Sequence, residues 1–112
     1  MEDKILMDVK EMVGVHPSYD CFDKQLIFAI NTSFSVLTQL GVGPKEGFSI
    51  NGEEEKWSDF IEDMSKIEMI RNYVGISVRL LFDTPTNGAV REVLENKQHE
   101  YEWRLNVECD KT

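Results

Sequence analysis

The stretch SKIEMIRNYVGISVRLLFD, residues 65–83, decides the fold because apolar residues recur at helical spacing along nearly all of it. At ~100° per residue, the apolar side chains occupy two adjoining faces: Ile67, Ile70, Val74, Val78 and Leu81, then Met69, Tyr73, Ile76 and Leu80. The polar remainder is one strip of Glu68, Arg71, Asn72, Gly75, Arg79 and Asp83. The apolar arc is roughly 200° wide, against ~100° for an ordinary surface helix. We therefore expect a central helix with neighbours on two sides.

Helical spacing and end signals predict three or four further helices around this one. The first covers about residues 3–13 and stops at Gly14, and the second starts near Asp20 or Asp23, either of which can cap it. The second helix ends at Gly41, and a short third helix covers about residues 57–64. A capping box over residues 65–68 starts the central helix at 65, and Thr86 caps a last helix that runs to about 106.

The segment between the second and third helices has no helical period. It contains glycines at 41, 43 and 47, Pro44 and the dipeptide Asn51-Gly52, so we expect a structured loop or a short β-hairpin at about 41–56, projecting from one end. The sequence thus predicts one all-α domain over residues 1–112. In it, four to five helices surround the helix at about 65–83, which packs between the second and last helices.

Composition excludes several classes of function. The chain has 112 residues and a formal net charge of −9, which disfavours tight nucleic-acid binding because phosphate contacts need clustered Lys and Arg. No apolar run reaches the ~20 residues of a membrane span, and the N-terminus lacks the pattern of a signal peptide, so we expect an intracellular protein. Cys21 and Cys109 form no paired motif, and we expect reduced thiols without a metal or redox cofactor.

One group of residues has the spacing of a metal site. Glu92, Glu95, His99 and Glu102 follow one another at steps of three and four, so they can point the same way from the last helix. Because of this pattern, a helical metal-dependent nucleotide pyrophosphohydrolase is an alternative function for the chain. Such enzymes need a second acidic helix, which is not evident, and Arg91 lies in the same arc. The pattern therefore favours a solvated helix face, with no catalytic, cofactor or metal residues assigned.

Three residues are candidates for a protein interface. Phe28 on the second helix and Trp103 on the last helix lie away from the predicted core faces, and large exposed aromatics commonly anchor interfaces. The alternative is that a loop of the same chain covers either ring. Arg79 lies on the polar strip of the central helix. Its simpler interpretation is an ion pair with Asp83, four residues on, and the alternative is a contact with another subunit.

Several stretches, taken in order, resemble a known family. They are Gln39-Leu40-Gly41-Val42-Gly43-Pro44, Glu46-Gly47-Phe48, Trp57-Ser58-Asp59-Phe60-Ile61, Arg79-Leu80-Leu81-Phe82-Asp83 with Pro85, and Glu102-Trp103-Arg104-Leu105-Asn106. Together they make the chain resemble, over nearly its whole length, the small head-tail connector proteins of tailed bacteriophages and prophages. These are packing and turn residues, so they indicate the family and not a chemical site.

The resemblance implies a mostly helical, non-enzymatic subunit of the virion neck, assembled in the bacterial host cytoplasm. Its implied partners are further copies of itself in a ring, the portal protein and the next neck or tail-completion protein. DNA would pass through the ring without specific binding, and no membrane is involved. A small intracellular adaptor that binds one protein without forming rings is a second alternative, beside the hydrolase.

Overall fold

The chain folds into a bundle of helices. A computed structural model describes residues 4–61, 64–82 and 85–110. The described residues form five α-helices: α1 (Ile5–Val13), α2 (Asp23–Gln39), α3 (Trp57–Phe60), α4 (Ile67–Phe82) and α5 (Gly88–Asp110). Within these residues there is no strand, and an isolated antiparallel bridge joins Lys4 to Lys56. The predicted all-α fold is confirmed.

Helix α4 lies at the centre of the bundle, as its wide apolar arc predicts. It packs against α2 on one side and α5 on another, and it also contacts α1. Ile70, Tyr73, Val74 and Val78 are buried in the common core. Leu81 was predicted to be buried with them but is 57% exposed, because it lies in the last turn of α4, where the neighbouring helices leave it uncovered.

Helix α1 is a third neighbour of α4 that the sequence did not predict. It crosses α4 at Gly75, which is buried although we assigned it to the polar strip. A Cβ atom on Gly75 would lie 2.6 Å from Met12 Sδ, so the glycine permits a close approach of the two helices. Gly75 therefore lies on a packing surface and not on a solvated one.

Arg71, also on the predicted polar strip, forms a partly buried ion pair with α1. Its guanidinium donates to both carboxylate oxygens of Asp8, at 2.6 and 2.8 Å, and this pairing raises the pKa of Arg71. The indole Nε1 of Trp57 donates to the same carboxylate at 2.8 Å. Asp8 thus connects α1 to α3 and α4.

A second buried charge fixes the segment between α1 and α2. The Lys10 side chain is fully buried, and its Nζ donates to the carbonyl oxygens of Pro17, at 3.2 Å, and Tyr19, at 3.0 Å. Its ammonium also lies 2.7 Å from Asp23 Oδ1, a contact that lacks hydrogen-bond geometry and is an ion pair. The charge of Lys10 is therefore balanced inside the fold.

The 41–56 segment packs against α2 and does not project from the bundle. Ile50 is buried, and its backbone N–H and C=O pair with the side-chain amide of Asn31, at 2.8 and 3.0 Å. The rings of Phe34, Phe48 and Phe60 pack with centroids 4.7–5.3 Å apart. The predicted loop is confirmed, whereas the alternative hairpin is wrong, because Asn31 provides the pairing that a second strand would have given.

The predicted helix ends are less accurate than the helices themselves. Phe22 occupies the cap position of α2, so neither Asp20 nor Asp23 caps it. Helix α4 begins at Ile67 after a 3₁₀ turn over Met64–Lys66, two residues later than predicted. Helix α5 is capped by Asn87 and not by Thr86: Asn87 Oδ1 accepts from the N–H groups of Ala89 and Val90, at 2.9 and 3.3 Å.

Candidate protein-interaction surfaces

Glu102, one of the acidic residues of α5 with metal-site spacing, contacts a tyrosine of α4 and a histidine of its own helix. Tyr73 donates its hydroxyl to Glu102 Oε2 at 2.9 Å, and His99 Nδ1 lies 3.4 Å from the other carboxylate oxygen. Burial, followed by the hydrogen bond to Glu102, raises the pKa of Tyr73. In the described part of the chain, no three His, Cys, Asp or Glu residues lie close enough to hold a metal ion. Glu102 instead connects α5 to α4.

Gln98 makes a similar contact between α5 and α4. Its Nε2 donates to Ser77 Oγ at 3.0 Å, so Gln98 faces α4, as does Glu102, which the sequence placed on a solvated face. Helical spacing places Val90 and Leu105 on one apolar face of α5, yet Leu105 is buried and Val90 is exposed. Polar contacts, which helical spacing does not predict, therefore contribute to the α4–α5 interface.

Trp103 projects from the outer side of α5. It is 68% exposed and borders a shallow depression with Met69, Arg104 and Val107. The exposure agrees with its predicted position away from the core face. The other tryptophan, Trp57, is buried, so the two indole rings lie in opposite environments. The role of Trp103 in an interface stays a prediction.

Phe28 is 72% exposed and lies on one wall of an apolar groove between α2 and the end of α4. We call this the α2–α4 groove; it is lined by Phe22, Lys24, Gln25, Phe28, Ala29, Leu81 and Phe82. The rings of Phe22 and Phe82 meet edge to face with centroids 5.2 Å apart and shape one end of it. Sequence reasoning identified Phe28 but missed Phe22 and Leu81, because both have the spacing of core residues.

Arg79 is exposed on a different surface. It borders a shallow groove between α4 and α5 with Ile76, Leu94 and Tyr101. Its predicted ion-pair partner, Asp83, lies outside the described residues. The structure therefore does not bring Arg79 together with Phe28 or Trp103 in one site.

Trp103 and the α2–α4 groove lie near opposite ends of α4. Met69, which borders Trp103, and Leu81, which lines the groove, are twelve residues apart in this helix. At 1.5 Å per residue, their separation along the axis is about 18 Å. On the described part of the chain, Trp103 and the α2–α4 groove are thus separate surfaces, each with exposed apolar side chains.

The structure describes the side chain of one of the two cysteines. Cys21 is a free, exposed thiol in the turn before α2. The Cys109 side chain lies outside the described residues. None of the described helices is both long and apolar enough to cross a lipid bilayer.

The fold and these surfaces define a small helical protein whose notable features are exposed apolar patches. The chain belongs to the phage connector protein family: a family model with the description "Phage connector protein" matches residues 5–112. No curated protein and no solved structure matches the chain. The family is structural and not enzymatic, and membership supports a connector role in the phage neck, in association with other head or tail proteins.

Proposed function

We propose that the chain is a neck subunit that oligomerises into a ring under the portal and connects the DNA-filled head to the tail. The observation that carries this proposal is the match to the connector family, which extends over residues 5–112. The proposed role is structural and non-enzymatic. It also assigns the portal protein and the next neck or tail-completion protein as partners.

The two exposed surfaces support the ring. A ring built from head-to-tail contacts needs two different patches on each subunit, because each subunit meets its two neighbours through different faces. Trp103 and the α2–α4 groove are such a pair, on opposite ends of α4. Each presents a large, exposed aromatic side chain, Trp103 in one and Phe28 in the other, which is the feature of an interface anchor.

The charge of the chain is compatible with a DNA channel. A net charge of −9 repels the phosphate backbone, so DNA would move through the ring without being bound specifically. A strongly basic subunit would retain DNA by releasing its counterions. The acidic composition thus supports passage of DNA and not binding.

Assembly with the portal tests the proposal. The purified chain and the portal protein of the same phage are mixed, separated by sedimentation and imaged by negative-stain electron microscopy. We expect a ring of the chain bound to the portal; a chain that stays monomeric or dimeric beside the portal would contradict the proposal and favour the adaptor. Magnesium calorimetry with a nucleotide-turnover assay gives the corresponding test of the hydrolase.

A further inference from the structure

We infer that Trp103 of one subunit inserts into the α2–α4 groove of the next copy. This inference rests on the proposed ring and names the contact that would build it. The occupant of the groove is therefore a second copy of this chain, and the inserted group is its indole ring.

The groove has the chemistry of an indole site. Phe28 and Leu81 present apolar walls that are mostly exposed in the single chain, so filling the groove would remove apolar surface from water. Aromatic side chains pack well at the edges of other rings, which Phe22, Phe28 and Phe82 provide. The amide oxygen of Gln25 is an acceptor for the indole N–H, which needs a partner once it is buried.

The charges of the two surfaces are complementary. The lining of the groove carries one charged group, the ammonium of Lys24. Within four residues of Trp103, helix α5 carries two acidic side chains, Glu100 and Glu102, and one basic side chain, Arg104, and therefore a net charge of −1. A positively charged groove facing a negatively charged helix favours this pairing over contact between two α5 helices.

The positions of the two surfaces make the contact intermolecular. They are separated by about 18 Å along α4, so Trp103 cannot reach the groove of its own subunit. Each subunit offers one exposed indole and one groove. After two copies pair, the groove of one copy and the indole of the other are still available to further copies. Successive contacts then close into a ring if the rotation between subunits allows it.

The most direct test is cross-linking in the assembled ring. The variant Trp103→p-benzoylphenylalanine is assembled on the portal and irradiated, and the linked peptides are identified by mass spectrometry. We expect links to residues 22–29 or 81–82 of another copy. Links only to other segments, in rings that form normally, would overturn the inference and leave the proposed function standing.

Substitutions give an independent test. Trp103→Ala and Phe28→Glu should each weaken association between copies by about 30-fold or more, as expected for a truncated or blocked anchor. The matched control for Trp103→Ala is Val93→Ala, an exposed apolar position on α5 about 15 Å from Trp103. The matched control for Phe28→Glu is Gln39→Glu, at the other end of α2. Both controls should assemble normally. Circular dichroism and the fluorescence of buried Trp57 verify folding, and Trp103→Phe should restore part of the association.

Mixing the two variants distinguishes this contact from others. The Trp103→Ala variant keeps an intact groove, and the Phe28→Glu variant keeps an intact indole ring. In a mixture, the indole of the second can therefore insert into the groove of the first. Neither variant can make a second contact, so the assembly should stop at 1:1 pairs. If both variants assemble like the wild type, the inference is wrong although the ring remains. If the wild type does not assemble even on the portal, the inference and the proposed function both fail.

Discussion

Asp8 shows, at the scale of single residues, how one buried carboxylate holds three helices together. It accepts hydrogen bonds from Arg71 and from Trp57 Nε1. Replacing Asp8 with Asn leaves the Arg71 charge without its buried partner. We expect the free energy of unfolding to fall by about 3 kcal/mol, measured by urea denaturation.

Glu68 is the matched control for Asp8. It also pairs with Arg71, at 3.1 Å, but its side chain is largely exposed. Solvent screening makes such a pair weak, so Glu68→Ala should change the stability by less than about 0.5 kcal/mol. Equal losses in the two variants would contradict the assignment of Asp8 as the buried partner.

Tyr73 gives a pH-dependent prediction. Burial and the hydrogen bond to Glu102 raise the pKa of Tyr73 above its ordinary value of about 10, so the unfolded chain releases this proton at a lower pH than the folded chain does. The stabilisation by the neutral hydroxyl is fully present below about pH 10 and is lost as the pH rises above it. Tyr73→Phe should cost about 1 kcal/mol at neutral pH, and the difference from wild type should narrow toward pH 11.

Urea denaturation of both proteins at pH 8 and pH 11 measures this difference. A difference that stays constant or widens would contradict the prediction. Tyr101→Phe is the control, because the Tyr101 hydroxyl makes only a long contact, 3.5 Å, with the Asn72 amide. Its loss should change the stability by less than about 0.5 kcal/mol.

At the scale of elements, the 41–56 loop behaves as part of the core. Gly43 has a φ of +83°, and a Cβ atom there would lie 2.5 Å from Phe60 Cε1. Gly43→Ala therefore combines backbone strain with a collision against a buried ring. We expect a loss of about 3 kcal/mol in the free energy of unfolding, measured by thermal or urea denaturation.

A substitution at Gly14 measures the backbone strain without the collision. Gly14 has a similar φ of +81°, but a Cβ atom there would meet nothing within 4 Å. Gly14→Ala should cost about 1 kcal/mol, the strain alone. If the two alanine variants lose the same stability, the loop is not packed against α3 as described.

Helical spacing was sufficient to predict all five helices and the central place of α4. It did not predict where they end: Asn87 caps α5 because its side chain reaches two backbone N–H groups, although Thr86 is also of a residue type that caps helices. It also missed the α1 crossing at Gly75, since a residue without a side chain carries no apolar signal. The cap depends on which side chain reaches the first backbone N–H groups of the helix, and the crossing depends on a contact between distant segments.

At the scale of the whole molecule, the exposure of Phe28 and Trp103 could be predicted from the sequence, whereas the groove that Phe28 lines could not. Phe28 and Trp103 were predicted to be exposed because each lies off the apolar face of its own helix. The α2–α4 groove was not predicted, because Phe22 and Leu81 are 59 positions apart in the sequence and both have core spacing. Arg79 remains a candidate from sequence alone, on a surface separate from the other two.

The burial of Lys10 limits insertions into the segment between α1 and α2. Turns between helices usually tolerate inserted residues, because little of their backbone is fixed. Here Lys10 binds the carbonyl oxygens of Pro17 and Tyr19 and pairs with Asp23, so the distance from α1 to α2 is set from inside the fold. An inserted residue between 15 and 22 would pull these oxygens away and leave a buried cation unbalanced. Peptide tags and labels therefore belong elsewhere on this protein.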